Sequence, residues 1–119
     1  MTPKEPLLPV VEGASFFAVD MRVGVVVNVK DFPEARKPAY QIWVDFGEAV
    51  GVRKTSAQVT VHYTKDDLLG RKVVGWVNAA PRQVGPFMSE FLLLGSYDAA
   101  GAVILMNPGV DALVGARVA

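Results

Sequence analysis

The chain has 119 residues, 51% of them hydrophobic, and its 12 basic and 12 acidic residues give a formal net charge of zero. This length predicts a single domain, and the zero charge argues against a surface that attracts nucleic acid on all sides. The absence of cysteine excludes disulfides and thiolate ligands. No apolar run approaches the 20 or so residues of a membrane-spanning helix, and the N-terminus does not resemble a signal peptide, so we expect no membrane insertion and a cytoplasmic protein.

Residues 1–13 are rich in Pro, Glu and Lys and are predicted to form a flexible N-terminal arm, which leaves residues 14–119 as the folded domain. From Met21 to Lys30, Met and Val at odd positions alternate with Arg, Gly, Val, Asn and Lys. Such alternation is typical of a half-buried strand, and the many valines suit a pleated surface. The two prolines in residues 31–38 favour a loop.

The rest of the chain predicts four more barrel strands with a helical insertion between the third and the fourth. In the insertion, Ser56 is expected to cap a helix over 57–63 and Thr64 one over 65–69, with Gly70 ending it. Two later runs lie outside a minimal barrel and are candidates for extra terminal strands that form a C-terminal dimerisation extension. The predicted strands are 40–46, 50–54, 72–78 and 91–95, and the later runs are 102–106 and 114–118.

Five short strands with one helical insertion indicate an all-β protein, a five-stranded OB-fold Greek-key barrel.

The side chains that could carry out catalysis do not form a recognisable set. His62 is the only histidine, and Asp66 and Asp67 are more typical of the first turn of a helix, where they favour its dipole. No glycine-rich phosphate loop is present. We therefore expect no catalytic residues, no metal and no cofactor, and we expect a binding protein rather than an enzyme.

Two segments carry the groups that suit binding. The first contains Arg53, Lys54, Ser56 and Gln58, whose charged and amide groups could meet a phosphate, a carboxylate or a peptide backbone. The alternative interpretation is a solvated strand end with a helix cap.

The second segment is the predicted loop 81–90. A binding role would rest on two apolar side chains for adaptable contact and on flanking polar groups. The alternative is an ordinary loop with one side chain in the core, and Trp43 and Trp76 are likewise more typical of core or interface residues than of stacking platforms. The candidate residues are Arg82, Phe87, Met88, Ser89 and Glu90.

The apolar strand at 91–94 predicts a subunit interface. Successive side chains of a strand point to opposite faces, so Phe91, Leu92, Leu93 and Leu94 cannot all enter one small barrel. We assign these four residues to a homodimer interface.

Four strings occur in order between Asp20 and Gly95: DMRVGVV, DFPEARKPAYQIWVDFG, SAQVTVHY and VVGWVNAAPRQVGPFMSEFLLLG. Together they resemble the CsaA family, the export-related chaperones built on the tRNA-binding OB domain. The resemblance implies a homodimer that binds unfolded or pre-export polypeptides without nucleotide; the alternative that it implies is a module recognising structured tRNA. The chain departs from the general tRNA-binding domains at Ser89-Glu90-Phe91-Leu92, where those domains carry Ser-x-Gly-Met.

Overall fold

A computed structural model of the protein describes residues 2–119, and within them nine short strands and two short helices. No helix in this range is long and apolar enough to cross a membrane. In chain order the elements are α1 (Gly13–Phe17), β1 (Met21–Asp31), β2 (Tyr40–Asp45), β3 (Val52–Ala57), α2 (Lys65–Leu68), β4 (Lys72–Trp76), β5 (Arg82–Val84), β6 (Phe87–Ser89), β7 (Leu92–Leu93), β8 (Gly95–Tyr97) and β9 (Val103–Leu105).

The main sheet has five antiparallel strands in the order β3-β2-β1-β4-β7. Its two edge strands, β3 and β7, approach each other, so that the sheet curls into a nearly closed barrel. The predicted OB-fold is confirmed. The fifth strand is shorter than predicted, because only Leu92 and Leu93 pair with β4.

A β-bulge changes which face of β1 is buried. Val26 pairs with Val44 and Asn28 with Trp43, so Val27 is an extra residue without a partner on β2. Before the bulge, Gly24 and Val26 face the core, and Val27 is exposed. The predicted strand is therefore present, but its alternation is not continuous, because one inserted residue shifts it.

Two aromatic rings fill the barrel and exclude side chains on neighbouring strands. Phe46 and Phe91 are fully buried and meet edge to face, with their ring centroids 5.0 Å apart. A Cβ on Gly75 would lie 2.6 Å from Cζ of Phe46 and 2.9 Å from Cδ2 of Phe91. A Cβ on Gly24 would likewise collide with Phe46. The rings pack this tightly because both opposing positions are glycine.

Only the second of the two predicted helices in the insertion exists. Thr64 caps α2 through a capping box with Asp67, and Gly70, with a φ of 82°, follows it, as predicted. The helix over 57–63 was a wrong prediction, since β3 continues to Ala57 and a turn follows. Ser56 thus belongs to a strand, where its amide finds a partner across the barrel seam.

The hairpin β8–β9 is attached to the insertion between β3 and β4 by two contacts. The hydroxyl of Tyr63 accepts a hydrogen bond from the amide of Leu105 at 2.9 Å. His62 Nε2 and Asp98 Oδ2 lie 2.7 Å apart, and this contact, aided by the amide of Ala102, lowers the pKa of the Asp98 carboxyl. The predicted run 102–106 is therefore a strand, β9.

Both ends of the chain differ from the central sheet. Of the predicted terminal strand 114–118, only an isolated bridge between Arg22 and Arg117 is formed. At the other end, residues 2–12 have no helix or strand and are exposed. Met1, which belongs to the predicted arm, lies outside the described residues, and the flexibility of the arm stays a prediction.

We expect Gly75→Ala to destabilise the protein by about 1–3 kcal/mol, because the added methyl group must displace Phe46 or Phe91 in a filled core. Denaturant unfolding of the two proteins measures the difference. Gly109→Ala is the matched control, since nothing lies within 4 Å of its added Cβ. Equal free energies of unfolding for Gly75→Ala and the wild type would contradict this account of the core.

Candidate functional site

The two predicted binding segments meet along the seam that closes the barrel. The amide of Lys54 donates to Glu90 Oε1 at 3.1 Å, and the amide of Glu90 donates to the Lys54 carbonyl at 2.8 Å. The amide of Ser56 donates to Ser89 Oγ at 3.0 Å. The side chains of Ser89 and Glu90 thus accept hydrogen bonds from amides of β3. These bonds hold the barrel closed, which is a structural role.

On the outer surface beside this seam, two lysines lie over two aromatic rings. The Lys30 Nζ is 5.2 Å from the centre of the Trp43 ring, and the Lys54 Nζ is 4.9 Å from the centre of the Phe87 ring. The rings of Trp43 and Phe87 contact each other edge to face, with centroids 6.0 Å apart. We call these four residues, Lys30, Trp43, Lys54 and Phe87, the cationic aromatic face.

The hairpin β5–β6 completes this face and replaces the loop predicted at 81–90. Gly85, with a φ of 54°, occupies the first central position of its two-residue turn, where a positive φ is favoured. Phe87 is 7% exposed and also packs on Phe32, with ring centroids 5.6 Å apart. Met88 points the other way and is 39% exposed. Of the two apolar candidates, Met88 alone offers a free side chain.

The remaining candidate residues differ in their exposure and in their hydrogen bonding. Arg53 is half-buried and donates to the carbonyl of Val77 at 3.0 Å, so its guanidinium is partly engaged. Arg82 and Gln58 are exposed. The structure therefore brings Lys54 and Ser56 together with Phe87, Ser89 and Glu90.

Sequence reasoning did not include Lys30 or Trp43 in the site. The register places Trp43 of β2 opposite Asn28 of β1 and opposite Lys54 of β3. Lys30 lies two residues further along β1 than Asn28, and its side chain reaches over the Trp43 ring. The alternation on β2 was the available signal: Ile42 and Val44 are fully buried, so Trp43 must face outward. A tryptophan on the outer face of a sheet, next to two lysines, indicates a binding surface more specifically than the presence of tryptophan in the sequence does.

The predicted interface residues fall into two groups. Phe91 is a core residue with 1% exposure, so its side chain does not reach the surface of the barrel. Phe91 stands where the general tRNA-binding domains carry the glycine of Ser-x-Gly-Met, so this departure from their pattern lies in the core of the barrel. Leu93 and Leu94 are half-buried, and Leu92 is 37% exposed.

Leu92 belongs to a row of outward-facing apolar side chains. In the sheet register, Trp76 pairs with Leu92 on one side and with Met21 on the other. Directly opposite residues share a face, and the preceding Gly75 faces the core, so these three side chains point out of the barrel. We call Met21, Trp76 and Leu92 the apolar row.

An ion pair lies at one end of this row. Asp20 accepts hydrogen bonds from Arg22 Nε at 2.8 Å and from Arg22 Nη2 at 3.1 Å. These bonds, together with the charges of Arg22 and Arg117, lower the pKa of the Asp20 carboxyl. Among residues 2–119, no group of three or more His, Asp or Glu side chains could hold a metal ion.

The chain is similar to one domain family, to several ligases and to two chaperone structures. The family model described as "Putative tRNA binding domain" matches residues 21–117. The chain is 38% identical to a methionine--tRNA ligase of Thermococcus onnurineus over 103 residues, 87% of this chain. It is 35% identical to methionine--tRNA ligase 1 of Sorangium cellulosum over 115 residues, 97% of this chain. The chain spans only 14% and 16% of these two ligases.

Two solved structures match over their whole length. The CsaA chaperone protein of Picrophilus torridus superposes with a TM-score of 0.86 at 38% identity, covering 92% of this chain and 100% of that one. The chaperone CsaA of Bacillus anthracis superposes with a TM-score of 0.87 at 36% identity, covering 93% and 100%.

The different burial of Phe87 and Met88 leads to a test of which of these two side chains stabilises the fold. Phe87→Ala should lower the free energy of unfolding by about 3–5 kcal/mol, because it leaves a cavity against Phe32 and Trp43. Met88→Ala, the neighbouring exposed position, should change it by less than about 0.5 kcal/mol. Thermal and denaturant melts measure both. A larger loss for Met88→Ala than for Phe87→Ala would overturn the assignment of their roles.

Proposed function

The chain belongs to the tRNA-binding domain family and, within it, to the CsaA proteins, and from this membership we propose that it is a cytoplasmic, homodimeric chaperone. In this proposal it binds unfolded or pre-export polypeptides without nucleotide. The domain would be residues 14–119, with the N-terminal arm as an appendage.

The observation that supports polypeptide binding is the cationic aromatic face with the adjacent Met88. The half-buried Trp43 ring and the exposed Met88 thioether offer apolar contact, and the thioether adapts to unlike side chains. Lys30, Lys54 and the exposed Arg82 add donors at the rim for peptide carbonyls and acidic side chains. Unfolded clients lose entropy on binding, so we expect micromolar affinity.

The apolar row supports the homodimer. Trp76 and Leu92 stand side by side on the outside of β4 and β7, and Met21 continues the row onto β1. Burying large apolar side chains contributes on the order of 1.5–3 kcal/mol each, and a twofold axis doubles each contact. Leu93 packs against the buried core instead, so of the four predicted interface residues only Leu92 and the half-buried Leu94 are left for this interface.

Leu92→Asp should convert the protein from a dimer to a monomer at micromolar concentration, because two carboxylates would be buried at the twofold interface. Sedimentation velocity measures the mass. Leu69→Asp is the control, an exposed leucine next to α2 and outside the row. A monomeric wild-type protein, or a dimeric Leu92→Asp variant, would refute the proposed interface.

The second candidate function is recognition of structured tRNA, and one observation favours it. The cationic aromatic face carries Lys30 and Lys54, and Arg82 on the hairpin β5–β6 is exposed, so basic groups are concentrated there although the net charge is zero. Cations over aromatic rings suit phosphate contact next to base stacking. Polypeptide and tRNA would then compete for one surface.

A competition experiment distinguishes the two functions. A fluorescently labelled, permanently unfolded polypeptide is bound to the dimer, and total tRNA is added while anisotropy is followed at several salt concentrations. Met88→Ser should weaken polypeptide binding several-fold and leave tRNA binding nearly unchanged, because Met88 offers apolar contact alone. The Lys30→Ala, Lys54→Ala variant should weaken tRNA binding and reduce the slope of log K against log salt by about 2.

Lys4→Ala, a charge change away from the face, is the control for the lysine variant. Binding of tRNA without any binding of the polypeptide would refute the chaperone proposal and support the second candidate. Displacement of neither ligand by the other would show that they do not share the cationic aromatic face.

A further inference from the structure

The N-terminal arm presents a run of apolar side chains to solvent. The exposed fractions of Leu7, Leu8, Val10 and Val11 are 96%, 81%, 96% and 69%. Single exposed apolar residues are ordinary on a protein surface, whereas a contiguous run usually marks an interaction segment. These side chains are not buried against the domain of the same chain.

The same chain contains a cavity of about 330 Å³ next to α1, and its lining combines apolar side chains with the polar Asp20, Asn78 and Arg117. Its apolar lining includes the rings of Phe16 and Phe17, which meet edge to face at 5.3 Å, and also Met21 and Val118. Asn78 holds one side in place, because it donates to the Ala18 carbonyl at 2.9 Å and accepts from the Asp20 amide at 2.8 Å.

Proline spacing favours a shape that fits this lining. Pro3, Pro6 and Pro9 recur every third residue, the period of a polyproline II helix, so such a helix places them on one face. Grooves lined by aromatic side chains bind segments of this shape, whose conformation is already restricted. The rim also offers charge complementarity, since Arg117 is 73% exposed and the arm carries Glu5.

The position of the cavity favours an arm that comes from the other copy. Met21 lies both in the cavity and in the apolar row, so the cavity borders the proposed homodimer interface. The arm ends at Gly13, three residues before Phe16 of the lining, so it joins the domain next to that interface. Six extended residues span about 20 Å, and a twofold axis makes any crossing reciprocal.

We propose that apolar side chains from residues 7–11 of each copy occupy the cavity of the other copy, with Pro9 packed on Phe16 and Phe17. This inference rests on the proposed homodimer. It assigns to the arm a function in assembly, as an exchanged segment that joins the two domains.

The absence of cysteine makes the exchange directly testable. Leu8→Cys protein and Phe17→Cys protein of different mass are mixed, allowed to exchange subunits and oxidised, and the products are analysed by mass spectrometry. We expect a disulfide-linked heterodimer. The control pairs Leu8→Cys with Val61→Cys, which is similarly exposed at 74% but does not line the cavity.

The outcomes separate this inference from the proposed homodimer. Cross-linking of Leu8→Cys to Phe17→Cys well above the Val61→Cys control supports exchange. A dimer in sedimentation without such cross-linking would refute the exchange and leave the homodimer intact. A disulfide formed within one chain of a Leu8→Cys, Phe17→Cys double variant, with little between chains, would show that the arm folds onto its own domain. A monomer in sedimentation would refute both proposals.

A variant with serine at the four apolar arm positions provides a second measurement. It should raise the dimer dissociation constant at least tenfold, while the melting temperature measured at a concentration where neither protein is dimeric stays unchanged, because these side chains are exposed in the single domain. An unchanged dissociation constant would overturn the inference.

Discussion

The barrel depends on how the free edge of β3 is closed. That edge has no strand to complete its ladder, and the side chains of Ser89 and Glu90 accept hydrogen bonds from the amides of Ser56 and Lys54 instead. Unpaired backbone groups at this position would lose hydrogen bonds in a partly buried site, which is costly. The closure also fixes the hairpin β5–β6, and so it places Phe87 between the rings of Phe32 and Trp43. The candidate binding face is thus a consequence of barrel closure.

Two surfaces of different chemistry share one strand. The first residues of β1 carry Met21 in the apolar row, whereas its last residues carry Lys30 in the cationic aromatic face. The bulge at Val27 lies between them and shifts the alternation, which allows the strand to serve both surfaces. The proposed association between copies and the proposed recognition of other molecules would therefore use separate parts of the barrel, which the backbone of β1 connects.

Local patterns predicted the fold well, since strong alternation and capping chemistry depend on neighbouring residues. The order of strands and the Thr64 cap of α2 follow from such patterns. Partners distant in sequence could not be predicted in this way. Ser56 looks like a helix cap until Ser89, 33 residues away, provides an acceptor for its amide. Phe91 looks like an interface residue until Gly75 is seen to leave room for its ring.

The opposite orientations of neighbouring side chains on β6 restrict how this protein can diverge. Phe87 and Ser89 point inward and support the barrel, whereas Met88 between them points to solvent. Substitution at the inward positions would lose stability before it altered binding, so it would be removed by selection. The outward positions, Met88 and its cross-strand partner Gln83, can vary at little cost to folding. New ligand preferences within this lineage are therefore expected to arise at these two neighbouring positions, on a scaffold that remains constant.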